Sequence, residues 1–273
     1  MAARVLSCLS DGVCSCGYRF FCQGDIAPIP KDGSQILGGY RSIMGVKVVA
    51  SFLNVLGVTD DSEIDRLCNT VITNGYLTYL QDQKDSIETF TKMARYVGGL
   101  SGREEQAERI IRYAMSVVLE VEGKAGGLDK PRVYAVLCHP LIPLYASKFG
   151  NTLVEMTGGI SLNRELDFQE RVDAEYTVDA LNALDPDIIL VAGHFAPSVE
   201  DFLGTCHELE ITCRAVSDVN VKIMDGTNVT GPLGWIISLM DVANLLHPEI
   251  FRYSLEEEKT LLDRAIAKNA MLL

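Results

Sequence analysis

The sequence has one tryptophan, four histidines and no surplus of positive charge: 24 lysines and arginines stand against 37 aspartates and glutamates, for a formal net charge of −13. Duplex nucleic acid is held by clustered cations that displace its counterions, so this balance disfavours a nucleic-acid role. No apolar run reaches the roughly 18 residues that a membrane-spanning helix needs. The start does not read as a secretory leader, because Arg4 is followed by only Val5-Leu6 before polar residues interrupt. Catalytic signatures are missing as well: there is no G-x-S-x-G elbow, P-loop, H-E-x-x-H or G-x-G-x-x-G. None of the eight cysteines forms a C-x2-C pair, the usual mark of zinc and ferredoxin sites.

What is present is an ordinary globular composition, 48% hydrophobic and 22% charged over 273 residues, long enough for one large or two modest domains. The start is cysteine-rich. Cys8, Cys14, Cys16 and Cys22 follow a C-x5-C-x-C-x5-C spacing with glycines between them. Thiolates so close on a glycine-rich loop suit a soft metal or an iron-sulfur cluster, while the missing C-x2-C spacing favours buried structural thiols or a single disulfide. Residues 35–42 read as a short strand, a Gly38-Gly39 turn and the start of a helix closed by Gly57. That turn places Tyr40 and Arg41 at a sheet edge. Asp60-Asp61-Ser62 opens a further helix, and Val71 to Leu80 has the look of a strand.

Ser86 to Val97 predicts a helix stopped by Gly98-Gly99. Ser101 and Glu104 then form the pattern of a capping box for a helix of about 20 residues, whose apolar stripe runs from Ala107 to Val121. Beyond it, strands alternate with helices, the pattern of a mostly parallel sheet with helices on its faces. The expected order is strand Arg132 to Leu137, helix Leu141 to Thr157, a Thr177-capped helix to Leu184 and strand Ile188 to Ala192. Helix Ser198 to Leu209 follows, then strands near Arg214 to Val216 and at Val221 to Met224, helix Gly234 to Leu246, and a last amphipathic helix from Ser254.

Four pieces of this half share their wording with one family. They are the lobe-opening strand after a long helix, Glu155-Met156-Thr157-Gly158-Gly159 at a helix end, the L-x-x-L-D-P-D-I-I-L-V strand entry at Leu181 to Val191, and the closing Leu245-Leu246-His247-Pro248-Glu249-Ile250-Phe251. They resemble the C-terminal lobe of class III substrate-binding proteins, the receptors of ABC importers for iron-siderophores, haem, cobalamin and some oxyanions. The resemblance covers about half the chain. It implies two Rossmann-like α/β lobes (1–100 and 124–273) joined by a backbone helix (101–123), with a ligand cleft between them. It also implies an ABC permease as partner, a metal-containing chelate as cargo, and an extracytoplasmic location with the export segment absent from this chain; a cytoplasmic location is the alternative.

In open parallel sheets, ligands bind beyond the carboxyl ends of the strands. Cys138-His139 and His194 lie at two such ends and carry groups that ligate iron, cobalt or zinc, so iron, haem or a corrinoid is the expected ligand. Asn228 and Trp235 flank a third, and an indole there can stack on a flat ligand. The competing reading is a redox or maturation protein in which the N-terminal cysteines hold an iron-sulfur cluster. No catalytic residue is assigned.

Overall fold

The computed structural model describes residues 49–73, 86–144, 149–166, 176–192, 197–224 and 232–271. A helical segment over 49–55 closes at Gly57, whose φ of +89° suits a residue without a side chain. Helix α1, Asp61–Thr73, starts where Asp60 caps it: the Glu63 amide donates to Asp60 Oδ1 at 2.7 Å.

Helices α2, Ser86–Ser101, and α3, Glu104–Ala125, form a hairpin that departs from the sequence expectation at the turn. Gly98-Gly99 does not stop α2, and Ser101 is not an N-cap. Ser101 is the last residue of α2, and its hydroxyl donates back to the Val97 carbonyl at 2.7 Å. The reversal falls at Gly102, with φ +65°, and Arg103 occupies the N-cap of α3 without a side-chain bond. The reason lies in the helix crossing: a Cβ on Gly98 would sit 2.8 Å from Ala107 Cβ, so the glycine is needed for close approach. The α3 stripe is as expected, with Ala107, Ile110, Ile111, Ala114, Val117, Val118 and Val121 all buried along one unbroken helix.

Among the described residues the sheet has four strands, β1 (Arg132–Val136), β2 (Ile160–Ser161), β3 (Ile188–Ala192) and β4 (Val221–Met224), in the order β2-β1-β3-β4, each neighbouring pair parallel. Val133, Ala135, Ile188, Leu190 and Met224 enter one core. There they meet α3, α4 (Phe149–Met156), α8 (Gly234–Leu246) and α9 (Leu255–Met271). Tyr134, Val136, Ile189, Val191 and Val221 enter the other, beneath α5 (Val178–Leu184), α6 (Val199–Glu208) and α7 (Arg214–Ser217). Strands buried on both faces read as continuous apolar runs, which is why Ile188 to Val191 was legible as a strand.

The Leu184–Asp187 segment ties the amino ends of the strands together. Asp185 takes the left-handed conformation at φ 44° and accepts from the Arg214 amide at 2.7 Å. That amide, with the Arg214 guanidinium, holds the Asp185 carboxyl below the usual range. Asp187 Oδ2 accepts from the Arg132 amide at 2.8 Å, and the Asp187 carbonyl accepts from the Asn220 side-chain amide at 2.7 Å.

Two more expectations are corrected. Arg214 to Val216 is the short helix α7, not a strand, because the amides of Arg214 and Ala215 are taken up by Asp185 and by the Pro186 carbonyl. The helix expected from Leu141 does not start there: residues 141–144 are a loop in which Pro143 bridges Val136, and the helix is described only from Phe149. With no N–H and a fixed φ, a proline at 143 favours that loop. As expected, the Thr177 side-chain oxygen caps α5; Ser198, expected as the first residue of its helix, caps α6 in the same way.

Val71 to Thr73, the start of the strand expected over Val71 to Leu80, belong instead to α1, which runs on past Cys68; the rest of that strand and much of the expected first lobe lie outside the described residues. The role of α3 as a link between lobes is accordingly a proposal.

Gly98 and Gly99 separate two uses of glycine. Gly98→Ala is expected to destabilise the chain by about 1–3 kcal/mol through the clash with Ala107. Gly99→Ala meets nothing within 4 Å and is expected to be neutral or stabilising by up to about 1 kcal/mol. Urea unfolding of the two variants measures the contrast.

Candidate functional site

The three long strands end together. Val136 pairs with Val191, and Ala192 with Met224, so the segments leaving β1, β3 and β4 depart from one edge of the sheet. Cys138 and His139 belong to the first of these. His194 and Asn228 belong to the second and third and, with Tyr40, Arg41, Cys8, Cys14, Cys16 and Cys22, lie outside the described residues. Among the described residues no three His, Cys, Asp or Glu side chains converge on a metal-sized site.

The loop after β1 is held at several points. The Leu137 amide donates to the Ile142 carbonyl at 3.1 Å, and the Ile142 amide to the His139 carbonyl at 3.0 Å. The buried Tyr134 hydroxyl donates to the Pro140 carbonyl at 3.0 Å. The Leu144 amide returns to the Ala135 carbonyl at 2.8 Å.

Beneath it sits Asn163, fully buried, in the 3-10 turn Leu162–Arg164. Its Oδ1 accepts from the Ala135 amide at 2.7 Å, and its Nδ2 donates to the carbonyls of Ala135 at 2.7 Å and Leu144 at 2.8 Å. One amide thus bridges strand and loop. Sequence reasoning missed Asn163; the available signal was a polar amide straight after the apolar turn that follows Gly158-Gly159.

On this frame Cys138 and His139 are both half-buried, and Cys138 is not part of a disulfide. His139 Nδ1 accepts from the Leu141 amide at 3.2 Å. Burial lowers its pKa below the ordinary 6.5, so the ring is neutral near pH 7. Trp235 lies in the first turn of α8, partly buried against the core, and meets Phe90 edge-on with centroids 5.5 Å apart. Its ring therefore ties α2 to the start of α8, close to where the β4 segment rejoins the described chain.

No family model matches the sequence, and no curated protein matches it. Solved structures do. A periplasmic solute-binding protein from Veillonella parvula superposes with a TM-score of 0.52 at 20% identity, over 64% of this chain and 55% of that one. The TroA-like periplasmic binding protein FepB of the same organism gives 0.50 at 15%, over 66% and 58%. A possible iron-binding, periplasmic solute-binding protein from Staphylococcus epidermidis gives 0.50 at 17%, over 59% and 62%. The chain thus has the α/β fold of the TroA-like solute-binding proteins, and it spans under two thirds of the length of these structures.

Two measurements probe the loop. Asn163→Leu orphans buried polar groups of β1 and the loop and is expected to cost about 2–4 kcal/mol in urea unfolding. The lowered pKa of His139 means that the unfolded chain binds its proton first as pH falls. The stability it confers is present above about pH 6.5 and declines as pH drops through the folded-state pKa. Subtracting the stability-versus-pH curve of His139→Gln from that of the wild type is expected to show a decline starting near pH 6.5; a flat difference contradicts it.

Proposed function

We propose that the chain is a substrate-binding protein of an ABC importer that captures a metal-containing chelate and delivers it to a membrane permease. In this reading it works outside the cytoplasm. The segments that leave β1, β3 and β4 form one side of a cleft, and a first lobe bearing Tyr40 and Arg41 forms the other. Cys138, His139, His194, Asn228 and the Trp235 region face the ligand. The observation that carries the reading is the TroA-like fold combined with a braced loop at the carboxyl end of a central strand, where ligands bind in open parallel sheets. A preformed site of this kind binds without ordering itself first, which keeps affinity high for a modest contact area.

No helix among the described residues is long and apolar enough to cross a membrane.

The test is a thermal-shift panel of ferric catecholate and hydroxamate chelates, haem and a corrinoid. A true ligand at about a hundred times its Kd contributes roughly 2.7 kcal/mol, a rise in Tm on the order of 5 °C or more for a chain of this size. At least one member is expected to give it, with one-to-one stoichiometry by calorimetry. A chain that ignores the panel, yet purifies anaerobically with stoichiometric iron and sulfide, overturns the reading in favour of a cluster protein built on Cys8, Cys14, Cys16 and Cys22.

A further inference from the structure

The loop after β1 fixes the protonation of His139 as well as its position. Leu141 donates its amide proton to Nδ1, and a ring nitrogen that accepts a hydrogen bond carries no proton of its own. In a neutral ring the proton is then on Nε2. Turning the ring over would face Cδ2 to the Leu141 amide and forfeit this bond. The Nε2 atom has no hydrogen-bond partner among the described residues, and the side chain is half-buried, so Nε2 is the ring nitrogen left to meet a ligand.

A metal-ligating histidine needs the opposite arrangement. It coordinates through one nitrogen and donates the N–H of the other to a carbonyl or carboxylate. Here Nδ1 faces a donor. Coordination through Nε2 would require a proton on Nδ1, pointed at the Leu141 N–H, and would break the bond that shapes the loop. The carbonyls nearby are already engaged: His139 O accepts from Ile142, and Pro140 O accepts from Tyr134.

We propose that His139 recognises its ligand as a neutral hydrogen-bond donor, through Nε2–H to an anionic oxygen on the outside of the chelate, and does not bind the metal. The inference rests on the binding-protein reading and narrows it. The cargo is a metal whose coordination sphere is filled by its own oxygen-rich chelator, not a bare ion that takes ligands from the protein.

The full chain, labelled with 15N-histidine, tests this directly. A multiple-bond 1H–15N spectrum at pH 7 is expected to show the Nε2–H tautomer at His139, assigned by the signal lost in His139→Gln. An Nδ1–H tautomer or an imidazolium overturns the proposal. Binding supplies the second arm, with bare Ni(II) and a ferric tris-catecholate as probes. His139→Ala and His139→Gln both remove the Nδ1 acceptor, but glutamine restores an N–H near the Nε2 position. The catecholate affinity is expected to fall about tenfold in the alanine variant, to recover to within about threefold in the glutamine variant, and Ni(II) affinity is expected to be the same in all three proteins. Equal losses in both variants, or Ni(II) binding that depends on His139, overturn it. Should no chelate in the panel bind the wild type, the transport reading and the ligand assignment fall together, while the tautomer spectrum still decides the state of His139.

Discussion

Two-sided burial of a parallel sheet is the constraint on which the rest depends. The buried residues of β1 and β3 are each committed to one core or the other: Val133 and Ala135 to the side of α3 and α8, Tyr134 and Val136 to the side of α5 and α6. A slip of one residue would exchange the two sets and place Tyr134 where only Ala135 fits. The register is locked twice more by polar groups. At the entering end Asp187 receives the Arg132 amide and gives its carbonyl to Asn220; at the leaving end Asn163 pairs with both backbone groups of Ala135. The candidate site inherits its rigidity from this, because its loop grows out of a strand that is fixed at both ends.

Legibility followed the range of the interactions involved. Elements set by local apolar periodicity or by a side-chain cap were readable in the sequence. Helix Gly234–Leu246 and strands Ile188–Ala192 and Val221–Met224 lie where they were expected, and so does the cap at Thr177. Three expectations failed where a distant partner outweighed local preference. Ser101 had the capping pattern, but the Gly98–Ala107 crossing placed the N-cap two residues later, at Arg103. Arg214 to Val216 had strand propensity, but the amides there belong to Asp185 and Pro186. Leu141 had helical spacing, but Leu144 returns to Ala135.

The candidate site was legible only as a place. Cys138 and His139 stood out because they follow a buried apolar strand, and the resemblance to substrate-binding proteins suggested direct coordination of a metal chelate. What shapes the site is Asn163, 28 residues away from Ala135 in sequence, and the Leu141 amide, which has no side-chain signature at all. Backbone donors of this kind cannot be read from residue identity, because every residue except proline has one.

On the proposed reading, a neutral donor also answers a problem that the composition raises. The chain carries a formal charge of −13, while oxygen-rich chelates are themselves anionic, so the long-range field opposes approach. Screening confines that repulsion to within about 8 Å at physiological ionic strength, where short-range contacts take over. An imidazolium would attract the ligand more strongly, but it would have to be held charged in a half-buried loop, against the desolvation that already lowers the pKa of His139. A neutral Nε2–H carries no such penalty. It also gives directional recognition of an oxygen without drawing a bare cation into the site, since the lone pair that a cation would need is already occupied by Leu141.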